Sequence, residues 1–339
     1  MNRLFVSFFF SIIGLLVITG CNPEKAKQQQ GVMPSVTGKT GELIVVMDTA
    51  KFRSEVGLPI KKQLSSVFKG LPQPEPIFDL INIPPKAFDK GFKTHRNVLR
   101  VNIAPKYSEP RFVVRKAVYS KSQVLIEAQA PNDSLLQRLF REKGDVAADR
   151  FIESEWNRYL RAYRGMKNRG VIQHLREKFN IELVVPKGYK LDKDTSNFSW
   201  LAKEDPEYSQ GFLVYKYPYQ GEKTFTLGYQ IQMRDRYTKR FVPGPSPGSY
   251  MITETLVTPF FNKKRVNNHT VYEMRGLWKV ENDFMGGPFV SYSIFNENTG
   301  EVVTVDGFVY APRFNKRDYV RQVEAILQTL ELVEPQGGN

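Results

Sequence analysis

The chain of 339 residues is 41% hydrophobic and 25% charged, which is typical of a globular protein and excludes a chain that is disordered throughout. Its length favours two folded domains over one. A single cysteine excludes an intramolecular disulfide, and a formal net charge of +14 indicates either a solvated basic surface or attraction to anionic surfaces.

Residues 1–20 have the pattern of an export signal. Arg3 gives a short basic start, and an almost unbroken apolar run follows from Leu4 to Ile18. The run is somewhat shorter than the roughly 20 residues that a stable membrane-spanning helix needs. A basic start, an apolar segment and small residues before a cleavage site together predict a secretory signal peptide.

The end of this segment, Ile18-Thr19-Gly20-Cys21, resembles the lipobox of bacterial lipoproteins. The resemblance implies cleavage between Gly20 and Cys21, a diacylglycerol cysteine formed on the thiol, and acylation of the new amino group, for example with palmitate. Two or more acyl chains hold a protein stably on a membrane. The alternative is a buried cysteine at the end of a transmembrane helix.

The same resemblance implies a location and a set of partners. Asn22, rather than aspartate, follows Cys21, which favours the outer membrane over the inner one. We expect a membrane-attached protein of the cell envelope that faces the periplasm. The basic charge makes an anionic envelope lipid, a glycan or a protein the candidate partner, and it does not indicate nucleic acid in this compartment.

After Cys21, residues 21–41 are polar and glycine-containing and predict a flexible tether. Residues 42–180 predict an α/β domain that ends in helices. Its expected strands are 42–48, 78–83, 98–103, 112–119 and 123–129, and its expected helices are 50–69, a helix from residue 134, 144–164 and 169–179. Pro59 should interrupt the first helix, and Asn132 or Asp133 should cap the second.

Residues 181–334 predict an antiparallel-sheet domain covered by a terminal helix, so that the whole chain belongs to the α+β class. Its expected strands are 181–185, 198–202, 211–217, 224–233, 271–280, 289–295 and 301–310, and its expected closing helix is 316–332. The pattern at 249–258 fits either a strand or a helix. Residues 335–339 predict a disordered tail.

Two patterns imitate catalytic motifs. Ser246 lies in a G-x-S-x-G sequence, but Pro247 follows it and has no N–H for an oxyanion hole. Gly38-Lys39-Thr40 has the end of a phosphate-binding loop, but Met33 occupies the position of the first glycine. We therefore predict no catalytic residue, no metal site and no cofactor, and we favour a non-enzymatic binding or scaffolding protein. The alternative is a glycan- or lipid-acting hydrolase that uses carboxylates such as those of Asp145, Asp149 and Glu153.

Five residues form the candidate ligand site. Tyr215 and Tyr217 alternate along a predicted strand and share one face. With Trp278 and the basic Arg236 they would form an aromatic platform, and Asp283 lies in the unusual loop before Gly286-Gly287-Pro288. The alternative interpretations are aromatic packing within the core and a tight structural turn.

Several further stretches carry a resemblance that covers the whole mature chain. They are Val185-Pro186-Lys187-Gly188-Tyr189, Pro243-Gly244-Pro245, Arg275-Gly276-Leu277-Trp278 and Met285-Gly286-Gly287-Pro288-Phe289. In these the chain resembles a family of Gram-negative envelope lipoproteins known only as a domain of unknown function. The resemblance implies a compartment and no activity.

Overall fold

The computed structural model describes residues 33–334. The predicted signal peptide, its cleavage site, Cys21 and the tail at 335–339 therefore lie outside the described residues, as does the first part of the predicted tether. Within the described part, no helix has both the length and the apolar character that crossing a membrane requires.

The first part of the chain combines a small sheet with helices. Its elements are β1 (Glu42–Val46), α1 (Thr49–Arg53), α2 (Leu58–Leu64), β2 (Asp79–Ile83), α3 (Lys90–Lys93), β3 (Asn97–Ile103), β4 (Arg111–Lys116), β5 (Val124–Ala130), α4 (Asp133–Gly165) and α5 (Arg169–Phe179). The sheet order is β2-β1-β3-β5-β4, and only the pairing of β4 with β5 is antiparallel. The continuous apolar sequence of β1 suits a strand buried within such a sheet.

Helix α4 is one helix of 33 residues, whereas the sequence predicted two. Asn132 caps it, as predicted, by accepting a hydrogen bond from the amide of Leu135 at 3.0 Å. Gly144 lies inside the helix rather than at its start. A Cβ at that position would lie 2.5 Å from Cγ of Gln63, so the glycine allows α2 to pack closely against α4.

The predicted helix 50–69 is divided into α1 and α2. Pro59 lies in the first turn of α2. A backbone N–H in that turn has no acceptor within the helix, so proline costs no hydrogen bond there. The proline therefore starts a new helix after the break, which explains the interruption that the sequence predicted.

The second part of the chain is built on a large antiparallel sheet. Its elements are β6 (Ile181–Glu182), β7 (Lys190–Thr195), β8 (Phe198–Glu204), β9 (Ser209–Pro218), α6 (Leu227–Phe241), β10 (Tyr250–Glu254), β11 (Phe260–Val266), β12 (His269–Glu281), β13 (Gly286–Asn296), β14 (Glu301–Tyr310), α7 (Arg317–Leu327) and β15 (Glu331–Leu332). The large sheet has the order β10-β12-β13-β14-β9-β8-β7, and β11 pairs with the other half of the long strand β12. The predicted α+β class is confirmed.

Helices cover both faces of this sheet. Residues of α5 and α7, among them Leu175, Val323 and Ile326, pack with one face. Residues of α6, among them Met233 and Tyr237, pack with the other face. The alternation of side chains along each strand thus supplies two separate apolar cores.

Helix α6 corrects one prediction, because residues 224–233 were expected to form a strand. Met233, Arg234, Tyr237, Thr238 and Phe241 are its buried residues toward the C-terminal end. Their spacing of one, three or four positions is helical, whereas a half-buried strand would bury every second residue. The ambiguous stretch 249–258 contains β10, a strand.

The described end of the predicted tether runs along the first sheet. Ser35 pairs with Lys121 and Thr37 pairs with His95 as isolated β-bridges. The amide of Lys121 donates to the carbonyl of Pro34 at 2.8 Å. The chain therefore enters the fold beside the β4–β5 hairpin.

Candidate functional site

Three of the five predicted ligand residues lie in the core between the large sheet and α6. Tyr215 and Tyr217 are 1% and 3% exposed. The ring of Tyr215 stacks on Tyr237 of α6 with centroids 4.5 Å apart. Trp278 is also buried, and its indole N–H donates to the carbonyl of Val309 at 3.2 Å. These contacts are those of aromatic core packing.

The other two residues lie at the surface. Arg236 is on the exposed side of α6. Asp283 lies in the β12–β13 turn and accepts hydrogen bonds from the hydroxyl of Ser246 and from the amide of Phe284, and these bonds lower its pKa. Trp278 and Asp283 line one hollow of about 350 Å³. The structure does not bring all five predicted residues together.

A larger concavity lies between α4 and β11, and we call it the α4–β11 cleft. It has a volume of about 880 Å³, within the usual size range of ligand sites. Five carboxylates and four cations line it together with Trp156 and Phe260: Asp145, Asp149, Glu153, Glu273, Glu324, Lys69, Lys264, Arg265 and Arg275. It is thus a polar cleft of nearly balanced charge with an aromatic component.

An ion-pair network joins β11, β12 and α7 within this cleft. Lys264 Nζ lies 3.2 Å from Glu273 Oε1, and Arg275 Nη2 lies 3.3 Å from the same oxygen. Arg275 also pairs with Glu324 of α7. Trp156 of α4 donates its indole N–H to Glu324 Oε2 at 3.2 Å. The network connects the first part of the chain to the large sheet.

The network shifts the pKa values of Lys264, Glu273 and Arg275. Burial raises the pKa of Glu273, but Arg275 and Lys264 outweigh burial and hold this pKa below its ordinary value. Burial lowers the pKa of Lys264, and Glu273 offsets part of that effect. Burial also acts to lower the pKa of Arg275, but Glu324 and Glu273 raise it above its ordinary value. Near neutral pH the network therefore holds an ionised Glu273 beside charged Arg275.

The α4 wall of the cleft differs from the network. Burial raises the pKa of Asp149, and the neighbouring carboxylate of Asp145 adds to this effect while Arg150 opposes it. Glu153 forms an exposed ion pair with Arg150, with Nη1 and Oε2 3.0 Å apart. Asp149 is thus the carboxylate of this wall whose proton is held more tightly than usual.

Sequence reasoning missed Lys264, Glu273, Arg275 and Glu324. A usable signal was present, since Glu273 and Arg275 alternate on β12 and must share one face of the sheet. The pairing of that face with α7 had no local signal, because Glu324 is 49 residues from Arg275 in the sequence.

Two protein-family models match parts of this chain, and neither family has an assigned activity. Residues 168–329 match the model of a domain of unknown function, DUF4837, and residues 36–164 match that of another, DUF8532. The two matched regions thus agree with the expectation of domains of unknown function. No curated protein matches it. Among solved structures it is similar to the Ran-binding protein Mog1p of Saccharomyces cerevisiae, with 9% identity, a TM-score of 0.32, and coverage of 50% of this chain and 94% of that one.

Proposed function

We propose that this chain is a lipid-anchored protein of the cell envelope that binds a partner or ligand and does not catalyse a reaction. The anchor would be Cys21, and the location would be the outer membrane on its periplasmic side. The motif Ile18-Thr19-Gly20-Cys21 supports this part of the proposal. The binding site would be the α4–β11 cleft.

One observation favours ligand binding over hydrolysis as the function of the cleft. The two carboxylates at the β12–α7 side of the cleft, Glu273 and Glu324, both pair with Arg275. Arg275 and Lys264 hold the pKa of Glu273 below its ordinary value, so Glu273 is a poor proton donor, and glycoside hydrolysis requires one. Fixed, compensated charges instead suit recognition of a polar surface, with exposed Phe260 as an aromatic contact.

The anchor is tested by labelling cells with a palmitate analogue. We expect the full chain to carry the label, and a Cys21→Ser variant to lose both the label and its membrane retention. Loss of the label can be attributed to Cys21, because the chain has no other cysteine. Equal labelling of the variant, or its unchanged retention, would refute attachment at Cys21.

The cleft is tested by affinity capture from detergent-solubilised envelope with the full chain. Phe260 is 47% exposed and lines the cleft, whereas Leu256 is 91% exposed and does not line it. We expect Phe260→Ala to lose a partner that wild type and Leu256→Ala both recover. Equal recovery by all three proteins would exclude the cleft as the binding site.

A hydrolase remains the second candidate because of Asp149. Its raised pKa would suit a general acid, and Glu273 and Glu324 line the same cleft. Turnover of isolated envelope glycan or phospholipid that disappears in Asp149→Asn would favour this candidate over the first.

A further inference from the structure

A second concavity lies on another side of α4, and we call it the α4–β4 pocket. It has a volume of about 410 Å³ between the second half of α4 and the β4–β5 hairpin. Five cationic side chains line it against a single carboxylate, that of Glu153: Lys116, Arg150, Arg158, Arg161 and Arg164. This pocket is strongly basic, unlike the α4–β11 cleft.

The arginines meet because of helical spacing. Arg158 and Arg161 follow Arg150 by eight and eleven positions, which places all three on one face of α4. Arg161 donates a hydrogen bond to the hydroxyl of Ser122 on the hairpin. Both Arg161 and Arg164 are exposed, so their guanidinium groups are available to a ligand from solvent.

Arg158 forms the deepest part of the basic lining. Its side chain is only 9% exposed, and its Nε atom is buried without a hydrogen-bond partner among the described residues. Burial lowers its pKa to about 10, and Glu155 opposes this shift only in part, with Oε1 3.5 Å from Nη2. Its Nη atoms donate to the hydroxyl of Ser154 and to Oδ1 of Asn97, so Arg158 is a fixed positive charge at this wall of the pocket. An anion bound nearby would be attracted by that charge.

The hairpin wall of the pocket is held in an unusual backbone conformation. Ala117 and Ser122 have φ angles of 50° and 65°, in the left-handed region that residues other than glycine rarely adopt. Buried Gln123 supports this conformation by accepting from the amide of Tyr119 at 3.0 Å and donating to the carbonyl of His95 at 2.8 Å. Strained backbone that is fixed by its surroundings is frequent at binding sites.

The position of the pocket is compatible with the proposed anchor. The described chain starts beside the same hairpin, where Lys121 bonds to Pro34 at 2.8 Å. The thirteen residue steps from Cys21 to Pro34 span at most about 45 Å. A lipid on Cys21 would therefore keep Pro34 within that reach of a membrane surface.

We propose that the α4–β4 pocket binds a phosphate-bearing anion, either a phospholipid headgroup or a free phosphate. Paired arginines suit this ligand because planar guanidinium groups donate two parallel hydrogen bonds to phosphate oxygens. The lipid source rests on the proposed anchor at Cys21, whereas binding of free phosphate does not.

The test uses the full chain and measures amide hydrogen exchange of the hairpin 117–123. One arm adds inorganic phosphate to the protein in a non-ionic detergent. The other arm compares reconstitution in phosphatidylcholine vesicles with and without phosphatidylglycerol. The variant is Arg161→Ala with Arg164→Ala, and its matched control is Arg138→Ala with Arg141→Ala, which removes two exposed arginines from the other half of α4.

We expect phosphate or phosphatidylglycerol to slow exchange of the hairpin in wild type and in the control. The variant should bind inorganic phosphate at least about tenfold more weakly, since hydrogen bonds to charged groups are among the stronger ones. Protection by phosphatidylglycerol alone identifies the headgroup, and protection by phosphate alone identifies the free anion. Absence of protection in both arms, or equal protection in the variant, overturns the proposal. If Cys21 carried no lipid label, the anchor would be refuted, but binding of inorganic phosphate could still be observed. The two proposals can therefore fail separately.

Discussion

Replacement of Arg234 by methionine is the sharpest test of the packing of α6 on the large sheet. Arg234 and Asp306 are both fully buried, at 0% exposure. Nε of the arginine lies 2.8 Å from Oδ2 of the aspartate, and Nη2 lies 3.3 Å from Oδ1. The guanidinium also donates to Thr253 and lies 4.0 Å from the ring centroid of Phe289.

Removing one partner of such a pair leaves the other charge buried and uncompensated. Breaking a buried ion pair in this way typically costs about 3–5 kcal/mol. Total stability is commonly about 5–15 kcal/mol, so Arg234→Met should remove a large fraction of it. The double variant Arg234→Met with Asp306→Leu leaves no uncompensated charge and should recover most of the loss.

The assay is urea unfolding of the full chain in detergent, followed by tryptophan fluorescence. Arg236→Met is the matched control, because this arginine is exposed on the same helix, and it should change stability by no more than about 0.5 kcal/mol. A loss below about 1 kcal/mol for Arg234→Met would refute the reasoning. So would a double variant that is as unstable as the sum of its single variants.

Two further predictions concern glycine packing and acid stability. A Cβ on Gly287 would lie 2.1 Å from the carbonyl oxygen of Val309, whereas a Cβ on Gly228 of α6 meets nothing within 4 Å. Gly287→Ala should therefore destabilise the protein by about 2 kcal/mol or more. Gly228→Ala should be neutral or stabilising by up to about 1 kcal/mol. Equal midpoints of urea unfolding for the two variants would contradict the expected difference. The folded pKa of Glu273 is lowered, so its contribution is complete above the unfolded value of about 4.3 and is lost as pH falls through the folded value. Melting temperatures measured from neutral to acidic pH should fall less steeply for Glu273→Gln, and identical slopes would exclude Glu273 as a source of acid sensitivity.

The features that could be predicted from the sequence are those with a local signal. The continuous apolar run of β1, the cap at Asn132 and the closing helix α7 each depend on residues close together in the chain. Edge strands carried no such signal. Strand β7 has the sequence KLDKDT, and β11 has the sequence FFNKKRV. Charged residues on edge strands prevent pairing with other chains. In these two strands they also hide the alternation of apolar residues that would identify a strand.

The error at residues 224–233 had consequences beyond one element. The alternation of Tyr215 and Tyr217 correctly places both on one face of β9, but alternation does not indicate what covers that face. A strand at 224–233 would leave the tyrosines uncovered and available as a platform. The helix α6 instead places Tyr237 against Tyr215, so the face becomes part of a core.

The charges of α4 likewise show that a sequence pattern does not indicate which surface its residues line. Within residues 144–164 the acids come early and the bases late, although Arg138, Arg141 and Lys143 precede them in the same helix. In the structure, Asp145 and Asp149 line the α4–β11 cleft, whereas Arg158 and Arg161 line the α4–β4 pocket. One continuous helix of roughly 50 Å therefore presents opposite charge to two separate concavities. The net charge of +14 predicts attraction to anions in general, and the proposed phosphate site in the α4–β4 pocket would locate part of that attraction at one surface.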